Sequence, residues 1–330
     1  MNSIKIVHCA NFSESRYGSV YYSMDRKITN GLIRNGHFVY DFSYREVAKN
    51  STIFKSKKFG IKHANENLIR TIENIQPDLL FLGHSELIQS ETLSKIKVLF
   101  PKIKIAMWWV DWIFNLKDID TKLEFIDAFF ITTDILELKR MKIKEQILQK
   151  CHYLPNFCDT SIDTFRAFSN TNYDYDLLFV GRHDKERAKF IDFIKEKLSH
   201  IKLGLFGLEK SNIITGVRYL RAIGSTKIAI NYSRNNNISL YSSDRIVHLM
   251  ANGALVFSPR IPNFENIFTD DEIIYFDNHD DFKKKFEYYL KNNDERIAIA
   301  KNGWLKVHTI YNEKVIMKNI LEKVMVIESE

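Results

Sequence analysis

Short apolar runs alternate with longer amphipathic stretches along this chain, and the alternation starts over once. Ile4–Ala10 (IKIVHCA) is apolar and rich in β-branched residues, the make-up of a strand buried on both faces of a parallel sheet. A loop containing Gly18 follows, then a helical stretch from Val20 to Asn35 that Gly36 is placed to close with a left-handed cap. His37–Phe42 is the next strand. Leu68, Ile69, Ile72 and Ile75 recur at helical spacing around Lys62–Asn74, and Pro77-Asp78 ends that helix before the apolar strand Leu79–Leu82. Lys102–Val110 and Ala128–Thr132 continue the series. Strand and helix in regular succession predict an α/β fold built on a doubly wound parallel sheet.

The pattern lapses over Leu154–Asp176, where Pro155, Asn156, Asp159, Ser161, Asn170, Thr171, Asn172 and Asp174 gather. It then resumes, with strands expected at Leu177–Val180, Lys202–Phe206, Lys227–Tyr232, Ala254–Ser258 and Ile273–Phe276. Helices are expected at Glu186–Lys197, Ser243–Met250, Asp280–Lys291 and Asp294–His308, and a last amphipathic one from Asn312 to about Val326. The 330 residues divide accordingly into an N-terminal domain (1–158), a linker (159–175), a C-terminal domain (176–308) and a C-terminal helix (309–330) able to cross back to the first domain. Such sheets bind ligands beyond the carboxyl ends of their strands, where the strand order reverses. Two of them face to face put the natural site in the cleft between.

Composition narrows the function classes. Lys and Arg number 48 against 41 Asp and Glu, a net charge of +7 spread over the chain. That suits an anionic small ligand or an anionic membrane surface, whereas a nucleic-acid protein would show a basic block interleaved with aromatics. Cys9, Cys151 and Cys158 are too few and too scattered for a disulfide framework or a zinc knuckle, which fits free thiols in a reducing cytoplasm. The N-terminus lacks a signal-peptide pattern, and no apolar run reaches the ~20 residues of a membrane span.

Two places carry chemistry in the second half. Val180-Gly181-Arg182 closes its first strand, putting a guanidinium and open backbone N–H groups where a phosphate would bind, with Lys185 and Lys189 following on the next helix. An ordinary strand-to-helix turn would look the same. Asn231-Tyr232-Ser233-Arg234 ends a later strand, and Ser242 or Ser243 then caps a helix that stops at Gly253. Backbone donors, a serine hydroxyl and Arg245 lie within one turn of that helix start, again suited to an anion.

These residues carry a resemblance. SSDRIVHLMANGALVFS, with INYSR before it and YFDNHDDFKKKFEYYL after it, resembles the C-terminal domain of bacterial GT-B glycosyltransferases, most of all the group-1-like, spore-maturation-type branch. FVGRHDKERAKFI is similar to the first strand and phosphate-binding turn of that domain, and TNGLIRNGHFVYDFS resembles the first helix and second strand of the N-terminal one. The resemblance implies two Rossmann-like domains across a cleft and a nucleotide-sugar donor in place of any bound cofactor. It implies donor phosphates on Arg182, Lys185 or Lys189, and on Ser242, Ser243 and Arg245. It places Gly181, Asn231 and Arg234 beside the donor, and Gly207 against its base. Many retaining relatives carry a Glu-x7-Glu pair whose second member binds ribose. That place is His248 here, which reads equally as a satisfied core histidine.

The N-terminal domain then supplies the acceptor side. His84 follows the strand LLFLG, and Asp111 stands in Trp108-Trp109-Val110-Asp111-Trp112 at the end of another. An inverting transfer needs a base there, and Asp111 among indoles would have its acidity lowered by desolvation. Trp109 offers a face for sugar stacking, and Arg16, Tyr17 and Gly18 form a loop able to close over an acceptor. A retaining transfer would leave the proton to the departing phosphate, and both routes remain open at this point. No metal site stands out, since Asp118-x-Asp120 has no strand before it. The expected activity is transfer of a sugar from a nucleotide donor to a glycan, lipid-linked glycan or surface-polysaccharide acceptor, metal-independent and cytoplasmic, with peripheral contact at the inner membrane and no nucleic acid. The rivals are a non-catalytic two-lobed binding or assembly protein and a sugar-nucleotide epimerase on the same fold.

Overall fold

The computed structural model describes residues 2–111, 113 and 119–325. Trp112, Asp118 and the chain beyond Met325 therefore lie outside the described residues. Contacts divide the chain into two units, Met1–Pro155 with Glu313–Glu330, and Asn156–Asn312.

The first unit contains β1 (Lys5–Ala10), β2 (Phe38–Ser43), β3 (Leu79–Leu82), β4 (Lys104–Trp109), β5 (Ala128–Ile131) and β6 (Cys151–Tyr153). All pair in parallel, in the order β2-β1-β3-β4-β5-β6. Its helices up to the boundary are α1 (Met24–Arg34), α2 (Tyr44–Asn50), α3 (Ile61–Ile75), α4 (Ser90–Leu99), α5 (Ile119–Leu123), α6 (Ile135–Arg140) and α7 (Glu145–Leu148). The central strands β3 and β5 are buried at every residue, which explains their unbroken apolar sequences. β2 is an edge strand, and there Phe38 and Tyr40 are exposed while Phe42 is buried.

The second unit repeats the plan with β7 (Tyr175–Val180), β8 (Leu203–Phe206), β9 (Thr226–Ile230), β10 (Leu255–Pro259) and β11 (Ile274–Phe276), in the order β11-β10-β9-β7-β8. α8 (Lys185–Lys197), α9 (Val217–Gly224), α10 (Asp244–Ala251), α11 (His279–Lys291) and α12 (Asn293–Thr309) pack around it. The stretch 159–175 belongs to this unit. Asp163 in it is fully buried. The last helix, α13 (Glu313–Met325), lies against α1 in the first unit: Arg34 pairs with Glu313, and the Asn35 side chain donates to the Lys314 carbonyl at 2.9 Å.

Both sheets are doubly wound and parallel, as the alternation predicts. The first helix begins at Met24 rather than Val20, because residues 18–22 are spent on turns. The helices α2, α6 and α7 and the strand β6 are too short for a period to show in sequence. Strand order reverses between β1 and β3 in one unit and between β7 and β9 in the other. Those two crevices are where ligands of such sheets bind. Among the described residues no helix is long and apolar enough to cross a membrane.

Candidate functional site

In the second unit the reversal point is spanned by two arginines. Arg245, in the first turn of α10, donates from Nε to the Val180 carbonyl at the end of β7 (2.8 Å) and from a terminal nitrogen to the Tyr232 carbonyl just past β9 (2.9 Å). Arg187, on α8, donates to the same Tyr232 carbonyl (2.9 Å) and to the Arg182 carbonyl (3.1 Å). Gly181 makes room for this crossing, since a Cβ there would lie 3.3 Å from the Arg245 guanidinium and 2.8 Å from the Phe179 ring. Arg187 is buried, and burial first, then the charges of Arg245 and Arg234, push its guanidinium down to about 10. It stays protonated at neutral pH.

Among the described residues, no carboxylate stands within ion-pair distance of Arg182, Arg187, Arg234 or Arg245. Buried or half-buried cations are ordinarily paired. Here backbone carbonyls take some of the donors and the nearby Asp184 charge offsets only part of the rest. α10 also begins without a side-chain cap, so its N-terminal dipole adds to the same positive field. An anion at the ends of β7 and β9 would relieve all of this at once.

The first unit places a different chemistry at its reversal point. Asp25, in the first turn of α1, accepts from the Asn11 backbone N–H (3.2 Å) just beyond β1. Its other oxygen faces Gly83 at the end of β3, where a Cβ would come within 2.6 Å of it. Burial chiefly, helped by the negative charges of Glu86 and Asp41, pushes Asp25 up to about 7, against opposition from the Asn11 hydrogen bond and Arg45. Next to it, Arg45 binds Glu86 at 2.6 Å and the Tyr44 hydroxyl donates to Glu86. Burial raises Glu86, but Tyr44, Arg45 and His84 together hold it below the usual carboxylate range. Two carboxyl groups within electrostatic reach of each other thus have their acidities driven apart. One is ionised, and the other is poised near neutrality, the protonation pattern of a site that moves protons.

Three comparisons with known proteins bear on this geometry. Residues 182–322 match the family Glyco_trans_1_2, described as glycosyl transferase-like. Residues 182–322 are a glycosyl transferase-like domain, and the chain as a whole has the GT-B fold. Among solved structures, sucrose-phosphate synthase from Thermosynechococcus elongatus is similar at a TM-score of 0.65 and 11% identity, over 98% of this chain and 99% of that one. The lipopolysaccharide outer core galactosyltransferase WaaB matches at 0.58 and 11%, over 98% and 99%. A protein described as a UDP-N-acetylglucosamine 2-epimerase, from Listeria monocytogenes, matches at 0.58 and 10%, over 100% and 98%. At such identities these structures share the fold with this chain. The search of curated proteins returned no match.

In this GT-B protein several residues named from sequence occupy other places than expected. Arg182 and Arg234 are exposed at the second crevice, and Arg245 is central to it. Lys185 is exposed, and Lys189 faces solvent on α8, paired with Glu186 at 3.2 Å. The hydroxyls of Ser242 and Ser243 are committed to the framework. Ser242 accepts from the Asn156 N–H (3.2 Å), and Ser243 donates to Asn231 (2.9 Å). Asn231 is itself 1% exposed and passes a hydrogen bond on to Ser258, so it braces strand ends rather than meeting a ligand. The Gly207 N–H is taken by Asn212.

His248 is a core histidine. It is buried, 3.2 Å from Asp163 through Nδ1 and edge-on to Tyr219, while Asp163 also receives Asn252 and the Asp159 N–H. Asp163→Ala is expected to cost about 3 kcal/mol, because three donors lose their acceptor in the interior. Denaturant melts read the loss, and nucleotide affinity should stay within about twofold, since the site is separate.

In the first unit Asp111 is exposed, so the desolvation that would have made it a base is missing. Trp109 is 2% exposed in the core and stacks on the His84 ring at 4.0 Å, which removes it as a sugar platform. His84 keeps its place at the end of β3, half-buried, with Nδ1 3.8 Å from Glu86. Arg16, Tyr17 and Gly18 are an exposed turn after β1, with Tyr17 97% accessible. Among the described residues no group of three His, Cys, Asp or Glu is placed to hold a metal ion.

Two residues went unmarked in the sequence, Arg187 and Asp25. Each left a signal. Arg187 shares its helical stripe with Phe190, Ile191 and Ile194, and Asp25 shares one with Ile28 and Leu32. A charge on an apolar stripe is either buried with a purpose or paired.

Proposed function

We propose that this chain transfers a glycosyl group from a nucleotide-activated sugar to a hydroxyl of a glycan, lipid-linked glycan or surface-polysaccharide acceptor. The observation that carries the reading is the guanidinium pair Arg187 and Arg245, held by backbone carbonyls and without an ion-pair partner at the reversal point of the second unit. Donor phosphates would supply the missing negative charge, with Arg182 and Arg234 closing on them from the solvent side. On the first unit, Asp25 is the group assigned to the acceptor.

In the step, the acceptor oxygen gives its proton to the Asp25 carboxylate and forms the new bond to the anomeric carbon. The bond from that carbon to the phosphate oxygen breaks, and its electron pair leaves with the nucleotide. The arginines stabilise the charge that grows on the phosphate as it departs. Base-assisted single displacement inverts the anomeric centre.

A panel of UDP, GDP, CMP and dTDP, followed by thermal melts, tests the donor site. A ligand that binds the folded state alone at a hundred times its Kd adds about 2.7 kcal/mol of stability, a rise of several degrees. No rise with any nucleotide would remove the reading. Nucleotide release that depends on an added acceptor separates a transferase from the two rivals. An epimerase would convert its nucleotide sugar with no acceptor present, and a binding protein would convert nothing.

A further inference from the structure

Between α2 and α3 the chain makes an excursion, residues 51–60, that turns its largest apolar side chains to solvent. Ile53 is 96% exposed, Phe54 87% and Phe59 71%. The excursion is an ordered turn. The Thr52 hydroxyl accepts from the Ser56 N–H at 2.9 Å, Lys55 N–H reaches the Thr52 carbonyl at 3.0 Å, and Gly60 N–H reaches the Ser56 carbonyl at 3.2 Å. Its tips are therefore held outward, with no core to cover them. Lys55, Lys57 and Lys58 alternate with those tips and are exposed, and residues 47–63 contain no carboxylate.

We infer that this loop anchors the protein to an anionic lipid surface. Ile53, Phe54 and Phe59 enter the boundary between headgroups and acyl chains, and Lys55, Lys57 and Lys58 meet the lipid phosphates. Apolar tips interleaved with cations are what a charged bilayer surface accommodates. A second copy of the chain would bring the same lysines against these and be repelled. A nucleic acid would give Ile53 nothing to stack on. The inference stands apart from the sugar-transfer reading, since neither arginine nor Asp25 enters it.

The test is co-sedimentation of the full chain with vesicles of phosphatidylcholine alone, or with about one third phosphatidylglycerol. Binding to the anionic vesicles is expected to exceed binding to the neutral ones at least ~tenfold, and to fall with salt. The combined change Ile53→Ser, Phe54→Ser, Phe59→Ser should lower it by about tenfold or more with an unchanged melting temperature. Lys55→Ala with Lys57→Ala and Lys58→Ala should abolish the preference for anionic lipid. Equal sedimentation of the wild-type chain and the apolar variant would overturn the inference. So would a lipid-free dimer that the same variant dissolves, since the loop would then be a protein interface. Nucleotide-induced melting shifts in the variants stay as in the parent, so a failure here is distinguishable from failure of the donor site.

Discussion

Arg245→Ala is expected to weaken nucleotide binding by roughly tenfold to a hundredfold, the equivalent of a charge-assisted hydrogen bond of about 1.5–3 kcal/mol. The physical case rests on its position. Arg245 ties together the ends of β7 and β9, so the guanidinium that faces the ligand is already fixed when the ligand arrives. Little side-chain entropy then remains to be lost on binding. Arg245→Lys keeps the charge but has one head group to divide between two carbonyls and a phosphate, and should recover only part of the loss. Arg187→Ala should act in the same direction. The double variant should lose less than the sum, because removing one cation relieves the repulsion on the other. Titration calorimetry at two salt concentrations reads all of this. Affinity unchanged in Arg245→Ala would end the assignment of phosphates to this crevice.

Asp25→Asn should lower kcat by about a hundredfold to ten-thousandfold, the range of a positioned general base. With Asp25 pushed up to about 7, kcat/KM of the parent enzyme should climb as pH rises toward 7 and level off above it. The variant's residual activity should be flat over that interval. Stability should move the other way. The folded state holds the Asp25 proton to higher pH than the unfolded chain does, so folding loses stability as pH rises from the ordinary carboxylate value of 3.8 to about 7 and loses no more beyond it. At pH 8 the asparagine variant should therefore melt no lower than the parent, and nucleotide should still stabilise it. A variant that is inactive because it is unfolded fails that check. A variant that is fully active removes Asp25 from the reaction, and so does a product that retains the donor's anomeric configuration, while either leaves the arginine site standing.

Much of the architecture was legible because it rests on period and composition. Buried parallel strands must be apolar throughout, and amphipathic helices must show their stripe, so the two doubly wound sheets follow from Ile4–Ala10, Leu79–Leu82, Leu177–Val180 and their like. The site was legible only as far as strand ends. Arg182, Arg245 and His84 follow strand ends or open helices there, and the structure keeps them at the crevices. Ser242, Ser243 and Asn231 have the right chemistry at the right ends, but whether a hydroxyl faces a ligand or a neighbouring amide is decided by side-chain packing that no spacing reveals. His248 was ambiguous for the same reason, and Asp163, 85 residues away, settles it. Asp111 looked desolvated because tryptophans adjoin it in sequence, yet β4 ends at Trp109, and Asp111 lies past it in solvent while Trp108 and Trp109 stay in the core. Arg187 and Asp25 went the other way. Helical spacing alone puts each among buried residues, and the question worth asking of any such charge is what opposes it.

The closing helix has a consequence for how the protein is made. α13 buries Ile316, Met317, Ile320, Leu321 and Val324, and it belongs to the same unit as α1. On the ribosome, domains generally fold as units, earlier ones first. Here the order is inverted. Asn156–Asn312 is an unbroken segment and has all its residues once Asn312 emerges, whereas the unit that starts at Met1 must wait for the final helix with an apolar groove open along α1. A chain cut short after Asn312 would therefore be damaged at its beginning, and a protease or chaperone inspecting nascent copies would find its target on the oldest part of the polypeptide.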